Sequence, residues 1–230
     1  MRALILLMLL AATTPAFAAA RGCAPYATAI GLDFQTLRPD VRTNMSLNTT
    51  GIRDLVRGKS QQGLDSHSEP LGVTLTTPSF AIDGRTRIET NGGITCVYLE
   101  SLRAEFGYRN MEVYLANEYP PGSCEYRAIL DHENQHVSLS RAALADHAGR
   151  VRLALEGVLG SLRPLQTRDP RGATRALLNG VTQRMGPALA AFHKDIDVRN
   201  AVIDSPSNYK AIGTICKDWD RGNKWPQKPQ

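Results

Sequence analysis

The sequence predicts an α+β fold, with an antiparallel sheet over residues 71–118, then a long helix and a second long helix covering it within residues 123–203. Three observations carry this. β-Branched, alternating stretches cluster in the first segment, an Asn-Gly-Gly turn signal sits among them, and apolar residues recur at helical spacing through the second.

The chain has 230 residues and opens on a targeting pattern. Arg2 supplies a positive start, Ala3 to Ala12 an apolar run, and Ala16-Phe17-Ala18 a small-x-small cleavage pattern. A membrane anchor needs about 20 apolar residues, and Thr13, Thr14 and Pro15 interrupt the run too early. Residues 1–18 are therefore read as a signal peptide and 19–230 as a single exported domain, secreted or periplasmic, with no membrane association after cleavage. The formal charge of +5 falls by one with Arg2, and the basic residues are scattered. That distribution argues for solubility and against a nucleic-acid partner.

Cys23, Cys96, Cys124 and Cys216 are an even set in an exported chain, which reads as two disulfides with three possible pairings, tying both ends to the centre. No two of them are close in sequence, which argues against a cysteine metal site.

Residues 19–70 read as a polar, irregular N-terminal wrap, with one or two helical turns at most over Gly51 to Arg57. Asn44-Met45-Ser46 and Asn48-Thr49-Thr50 match the glycosylation sequon, a triplet common by chance in surface loops. In the sheet segment, Val73 to Thr77 alternates, and Phe80 to Ile82 leads into a turn-like Asp83-Gly84. Arg87 to Thr90 and Ile94 to Leu99 flank Asn91-Gly92-Gly93, a hairpin signal, and Met111 to Ala116 is a further strand. Together these predict an antiparallel meander.

Pro120-Pro121-Gly122 then stops the sheet, Ser123 is a helix N-cap, and Glu125 places a carboxylate where it favours the helix dipole. The first helix runs from about Cys124 to Leu162, with Leu144, Ala148, Val151, Leu155, Val158 and Leu162 as its buried stripe and Gly149 as a point of kinking. A connector over Arg163 to Pro170 leads to a second helix from about Arg171 to Phe192 or beyond. Residues 204–230 form a polar tail.

The chemistry is concentrated in His132-Glu133-Asn134-Gln135-His136, inside the first helix. His132 and His136 are one turn apart, so both imidazoles leave the same face and can bind one zinc ion. Glu133 is about 100° around the helix from His132, a direction from which it reaches a water on the metal instead of the metal. Zinc lowers the pKa of such a water towards about 7, and Glu133 is placed to take the proton. The chain has five histidines, and two of them fall here, flanked by Ile129, Leu130 and Val137.

This segment is similar to the active-site helix of the zincin metallopeptidases, and the strand before it resembles their substrate-binding edge strand; the match covers Met111 to Ser140. The export signal, cysteine pattern and motif position also loosely resemble a family of secreted bacterial zincin-like proteins. The resemblance implies a zinc metallopeptidase in which a peptide or protein substrate pairs along the edge strand and zinc stabilises the oxyanion.

The third ligand departs from the best-known patterns. The metzincin extension would need glycine and histidine where this chain has Leu139 and Ala142. Glu156 has the gluzincin separation, but uninterrupted helix at 1.5 Å per residue carries it about 30 Å away. The remaining candidates are Asp146, His147, His193, Asp195, Asp197 and Asp204. His193 is the first choice and Asp197 the alternative, since they lie one turn apart near the end of a helix that can pack across the first. For either, a solvated helix face is the plainer reading. Tyr209 is a candidate oxyanion donor, against the plainer reading of a packed or capping tyrosine. The rival to a hydrolase is an exported zincin-like protein that binds envelope components or a partner without catalysis, motivated by the lack of an evident third ligand.

Overall fold

The computed structural model describes residues 22–59, 70–217 and 219; the expected signal peptide and the last part of the C-terminal tail lie outside them. The fold is α+β, with a sheet followed by a long helix and further helices.

The sheet is built around one long hairpin. β3 (Gly72–Asn91) pairs antiparallel with β4 (Ile94–Leu115) along its whole length. Gly92 and Gly93 close it with φ of 54° and 80°, the pair of positive values a two-residue type I′ turn needs. On the other side of β4 lie β1 (Gly31–Leu37) and β2 (Val41–Asn44), both parallel to it and in one register, with Gly31 opposite Ser101 and Val41 opposite Met111. Pro39, which has no N–H to give the ladder, falls in the short break between them. β5 (Leu165–Thr167) pairs antiparallel with the start of β4.

This arrangement corrects three expectations. The sheet is not an antiparallel meander: its separate strand signals merge into two long strands, flanked by parallel β1 and β2. The expected turn at Asp83-Gly84 is continuous strand, and Gly84 is small for packing, because a Cβ there would lie 2.8 Å from both Leu178 Cδ2 and Leu99 Cδ1. Within 19–70, the described residues are not an irregular wrap: besides β1 and β2 they contain α1 (Thr49–Lys59). These strands were hidden by polar residues on their outward face, while Leu32 and Phe34 pack against the core. Both sequon asparagines are engaged, since Asn44 Nδ2 donates to Glu112 Oε1 at 3.0 Å and Asn48 Oδ1 accepts from Gly51 N at 2.8 Å.

α2 (Cys124–Gly160) is a single helix of 37 residues. Ser123 caps it by accepting from Tyr126 N at 3.0 Å, and Gly149 does not divide it. The expected stripe is buried, with Leu144, Val151 and Leu155 at 1% exposure or less. The second long helix is two: α3 (Pro170–Arg184) packs on the sheet, and α4 (Gly186–Ile203) packs along α2. The break falls at Met185, just before Gly186-Pro187, where proline removes a helical donor. α5 (Pro206–Ile212) follows.

Phe192 on α4 joins the layers, its ring 4.8 Å from Phe106 and 5.8 Å from Tyr108 of β4. A polar clamp fixes α4 on α2: Asp195 Oδ2 lies 3.1 Å from His147 Nε2, and Arg199 donates to both Asp195 and Asp146. The clamp sets an antiparallel register that brings the end of α4 to the first half of α2.

Disulfides Cys23–Cys96 and Cys124–Cys216 tie both ends of the described chain to its centre, as the cysteine positions predict. Disulfides of this kind belong to oxidising compartments. No described helix is long and apolar enough to cross a membrane. Cys124–Cys216 closes a separation of 92 residues, so replacing the pair by serine is expected to cost about 2–5 kcal/mol in a denaturant titration.

Candidate metal centre

One face of α2 presents His132 and His136 as neighbours, their rings 4.9 Å apart and nearly perpendicular. The two Nε2 atoms point at each other across 3.3 Å. Asp204, the residue that caps the C-terminus of α4, completes a triangle: its Oδ1 lies 3.4 Å from His132 Nε2 and 3.1 Å from His136 Nε2. Among the described residues, His132, His136 and Asp204 form the group able to offer three donor atoms to one metal ion.

These edges can be compared with what a cation requires. Zinc bonds to nitrogen and oxygen of about 2.0–2.1 Å in a tetrahedral site hold their ligand atoms about 3.3–3.4 Å apart. The observed edges of 3.1, 3.3 and 3.4 Å match that spacing. A fourth, open position is what three protein ligands leave.

The surrounding residues orient the donors. His136 Nδ1 donates to Asn200 Oδ1 at 3.0 Å, which leaves the Nε2 lone pair facing the triangle. Tyr209 Oη donates to Asp204 Oδ1 at 2.8 Å, and its ring lies 5.3 Å from that of His132. His132 is 6% exposed, and its Nδ1 has no hydrogen-bond partner among the described residues. Burial works against the Asp204 carboxylate, but hydrogen bonds from both histidines, the His136 charge and the Tyr209 hydroxyl hold its pKa well below the usual range. Burial and the Asp204 carboxylate push the Tyr209 phenol far up, so it stays protonated and donating.

Glu133 stands to one side, only 4% exposed, against the edge of the sheet. Thr74 Oγ1 of β3 lies 2.8 Å from its Oε2 and 3.0 Å from its backbone oxygen. Burial raises the Glu133 pKa, opposed by the His136 charge and the Thr74 hydroxyl. β3 comes this close because residue 72 is glycine: a Cβ would lie 2.7 Å from Ile129 Cγ2 and 2.9 Å from Glu133 Oε1. Gly72→Ala is therefore expected to destabilise the fold by about 1–3 kcal/mol in a denaturant titration, through overpacking between sheet and helix.

Asp204, and neither His193 nor Asp197, stands beside the two histidines. His193 and Asp197 are exposed on α4, and the antiparallel register carries them along α2 away from His136. They precede Asp204 by about 16 and 10 Å of helix at 1.5 Å per residue. His147 and Asp195 pair with each other, and Asp146 pairs with Arg199. Glu156, on unbroken helix, pairs with Arg152. Asn200, Thr74 and Gly72 carry no signal in a single sequence, because their roles arise from helix register and strand approach.

The pH dependence follows from His136. Although burial opposes its charged form, the Asp204 hydrogen bond and the Glu133 charge raise its pKa above 6.5 in the metal-free chain. Protons then compete with a cation from above that pH downwards. Apparent zinc affinity is expected to fall as pH is lowered through this pKa, by about tenfold per unit for one competing proton, in titrations against a chelator.

Comparison of the chain with protein-family models, curated proteins and solved structures finds no match in any of the three.

Proposed function

We propose that the protein is an exported zinc-dependent hydrolase, a peptidase whose metal is held by His132, His136 and Asp204 and whose general base is Glu133. The observation that carries the reading is the convergence of those three donor atoms at tetrahedral spacing beside a buried carboxylate that is not one of them. Zinc bound there would act as a Lewis acid towards a water and a substrate carbonyl.

The chain's own residues supply the rest. Glu133 accepts a proton from the attacking water and returns it to the leaving amine, a role its burial beside the two histidines allows without its being one of the three donors. Thr74 holds its carboxylate in place. Asn200 and Tyr209 keep the His136 ring and the Asp204 carboxylate aimed at one point. Tyr209 thus acts on a ligand in this arrangement, where sequence reasoning considered an oxyanion donor.

Substrate docking moves relative to the sequence expectation. Met111 to Tyr114 is paired on both sides, by Val41–Asn44 and by Val73–Thr76, so it offers no free edge to a peptide. No described strand covers the outer edge of β3, whose start lies beside Glu133. We place the extended substrate there, hydrogen-bonded as an added strand. The two disulfides support the exported setting. The non-catalytic alternative was motivated by a missing third ligand, and the nearness of Asp204 to both histidines favours the hydrolase over it.

The test is cleavage of a mixed peptide library by the purified protein, with products read by mass spectrometry. Cleavage that stops on zinc removal by a chelator and returns on zinc addition is expected. A zinc-loaded protein that cleaves no member of the library would contradict the peptidase reading.

A further inference from the structure

A groove of about 510 Å³ lies between α3 and β3, away from the metal centre. Its β3 wall is Ala81 and Ile82, and at about 3.3 Å per residue Ile82 lies about 30 Å along the strand from Gly72 beside Glu133. Its α3 wall is one helix face, on which Arg171, Arg175, Leu178 and Thr182 succeed one another at intervals of about a turn. α3 is seated by the close approach of Leu178 to Gly84 and by the hydroxyls of Thr86 and Thr174, 3.1 Å apart. Arg171 and Arg175 are exposed, and neither makes an ion pair or hydrogen bond among the described residues. No acidic side chain among the described residues lines the groove. Asp169, at that end of α3, is engaged as its N-cap, accepting from Gly172 N at 3.0 Å.

The edge of β3 is unpaired here, because no described strand lies beyond it. From Asp83 to Glu89 every second residue is charged (Asp83, Arg85, Arg87, Glu89), a pattern that blunts an exposed edge. Ser79 to Ile82 carries no charge, so the edge is open where α3 supplies a wall. The bulge between Thr77 and Pro78 bounds this stretch on the side of the metal centre.

We propose that this groove docks an extended acidic segment of a partner protein, its backbone added to the β3 edge at Ser79 to Ile82 and its carboxylates on Arg171 and Arg175. The site is separate from the metal centre and does not rest on the peptidase reading. Three features select this occupant. The outward N–H and C=O groups of an edge strand recur at the two-residue period of another extended backbone. The guanidinium forks of Arg171 and Arg175 match carboxylates, and two unpaired positive charges favour an acidic segment over a basic one. Ile82 and Leu178 leave apolar surface beside the arginines, suited to an uncharged side chain between two acids. From Arg171 to Thr182 the α3 wall is about 16 Å long at 1.5 Å per residue, the span of about five residues of extended chain.

The probe is a short fluorescent peptide alternating glutamate and valine, titrated by anisotropy into the mature protein with a chelator present, so that metal-dependent cleavage cannot intervene. It is expected to bind at least about tenfold more tightly than its lysine–valine counterpart. Replacing both arginines, Arg171→Gln with Arg175→Gln, is expected to weaken it about tenfold, while Arg141→Gln on the exposed surface of α2 leaves it unchanged. Residues of an added strand turn their N–H groups alternately towards and away from β3. N-methylation of one set, glutamates or valines, is therefore expected to abolish binding, and methylation of the other set to spare it. No binding of the acidic peptide, binding untouched by the arginine replacements, or no difference between the two methylated peptides overturns the docking site. Arginine-dependent binding of polyphosphate in place of the peptide assigns the groove to non-peptide anions and overturns it as well. Each of these failures leaves the metal centre standing, since the groove shares no residue with it.

Discussion

Asp204→Ala is expected to weaken zinc binding by at least about 100-fold, the largest single effect open to this site. Asp204 is the one anionic donor in the triangle and the only one that does not come from α2. Without it, His132 and His136 retain their spacing, but two neutral imidazoles must hold a dication alone, and the Tyr209 hydroxyl loses its acceptor. The loss appears in stability as well as in affinity. A metal that binds only the folded chain stabilises it by about 4 kcal/mol when present at a thousandfold excess over Kd. The zinc-dependent rise in Tm seen for the wild type is therefore expected to disappear in the variant. His193→Ala and Asp197→Ala, on the exposed face of α4, are expected to bind zinc as the wild type does. If either of these lost the metal while Asp204→Ala kept it, the register of α4 on α2 would be wrong.

Glu133→Gln separates binding from chemistry. Glu133 is not one of the three converging donors, so the variant is expected to retain zinc with an affinity within about tenfold of the wild type. Glutamine preserves the size of the side chain and still accepts from Thr74 Oγ1, but it cannot take a proton. The expected loss in kcat is about 10²–10⁴, the usual range for removal of a general base, with little change in KM. Zinc lost together with activity would mean that Glu133 is a ligand, and the division of roles would have to be redrawn.

The parts of the site that a single sequence reveals are those whose geometry is local. His132, Glu133 and His136 belong to one helix turn, and the 3.6-residue period fixes their directions wherever the helix goes. Ser123, Asn91-Gly92-Gly93 and the α2 stripe are legible for the same reason, and all appear in the fold. Asp204 depends on something non-local, the height at which α4 docks on α2. That height is set by Phe192 against Phe106 and by Asp195 and Arg199 against His147 and Asp146. Asp204 stood among the candidates, but the preference for His193 and Asp197 on the helical part of α4 passed it over, because its carboxylate sits at the cap where the helix ends.

The sheet divides along the same line. Hairpin pairing between β3 and β4 follows from the turn, whereas the parallel pairing of β1 and β2 with β4 joins segments about 70 residues apart with no local signature. Gly84 misled because glycine serves equally at a turn and at a close approach, and only the positions of Leu99 and Leu178 distinguish the two. Gly186-Pro187 marks the break between α3 and α4, a signal that the reading of one helix from Arg171 to Phe192 passed over.

A metal held by His132, His136 and Asp204 is what hydrolysis at this site requires. The most direct measurement is the metal content of the purified mature protein by elemental analysis, with X-ray absorption at the metal edge to count nitrogen and oxygen neighbours. One zinc per chain, with two imidazole nitrogens and light-atom neighbours at about 2.0–2.1 Å, is the predicted result. A protein that takes up no metal after reconstitution at neutral pH would contradict it, and the triangle of donors would then be an ion pair that positions α4.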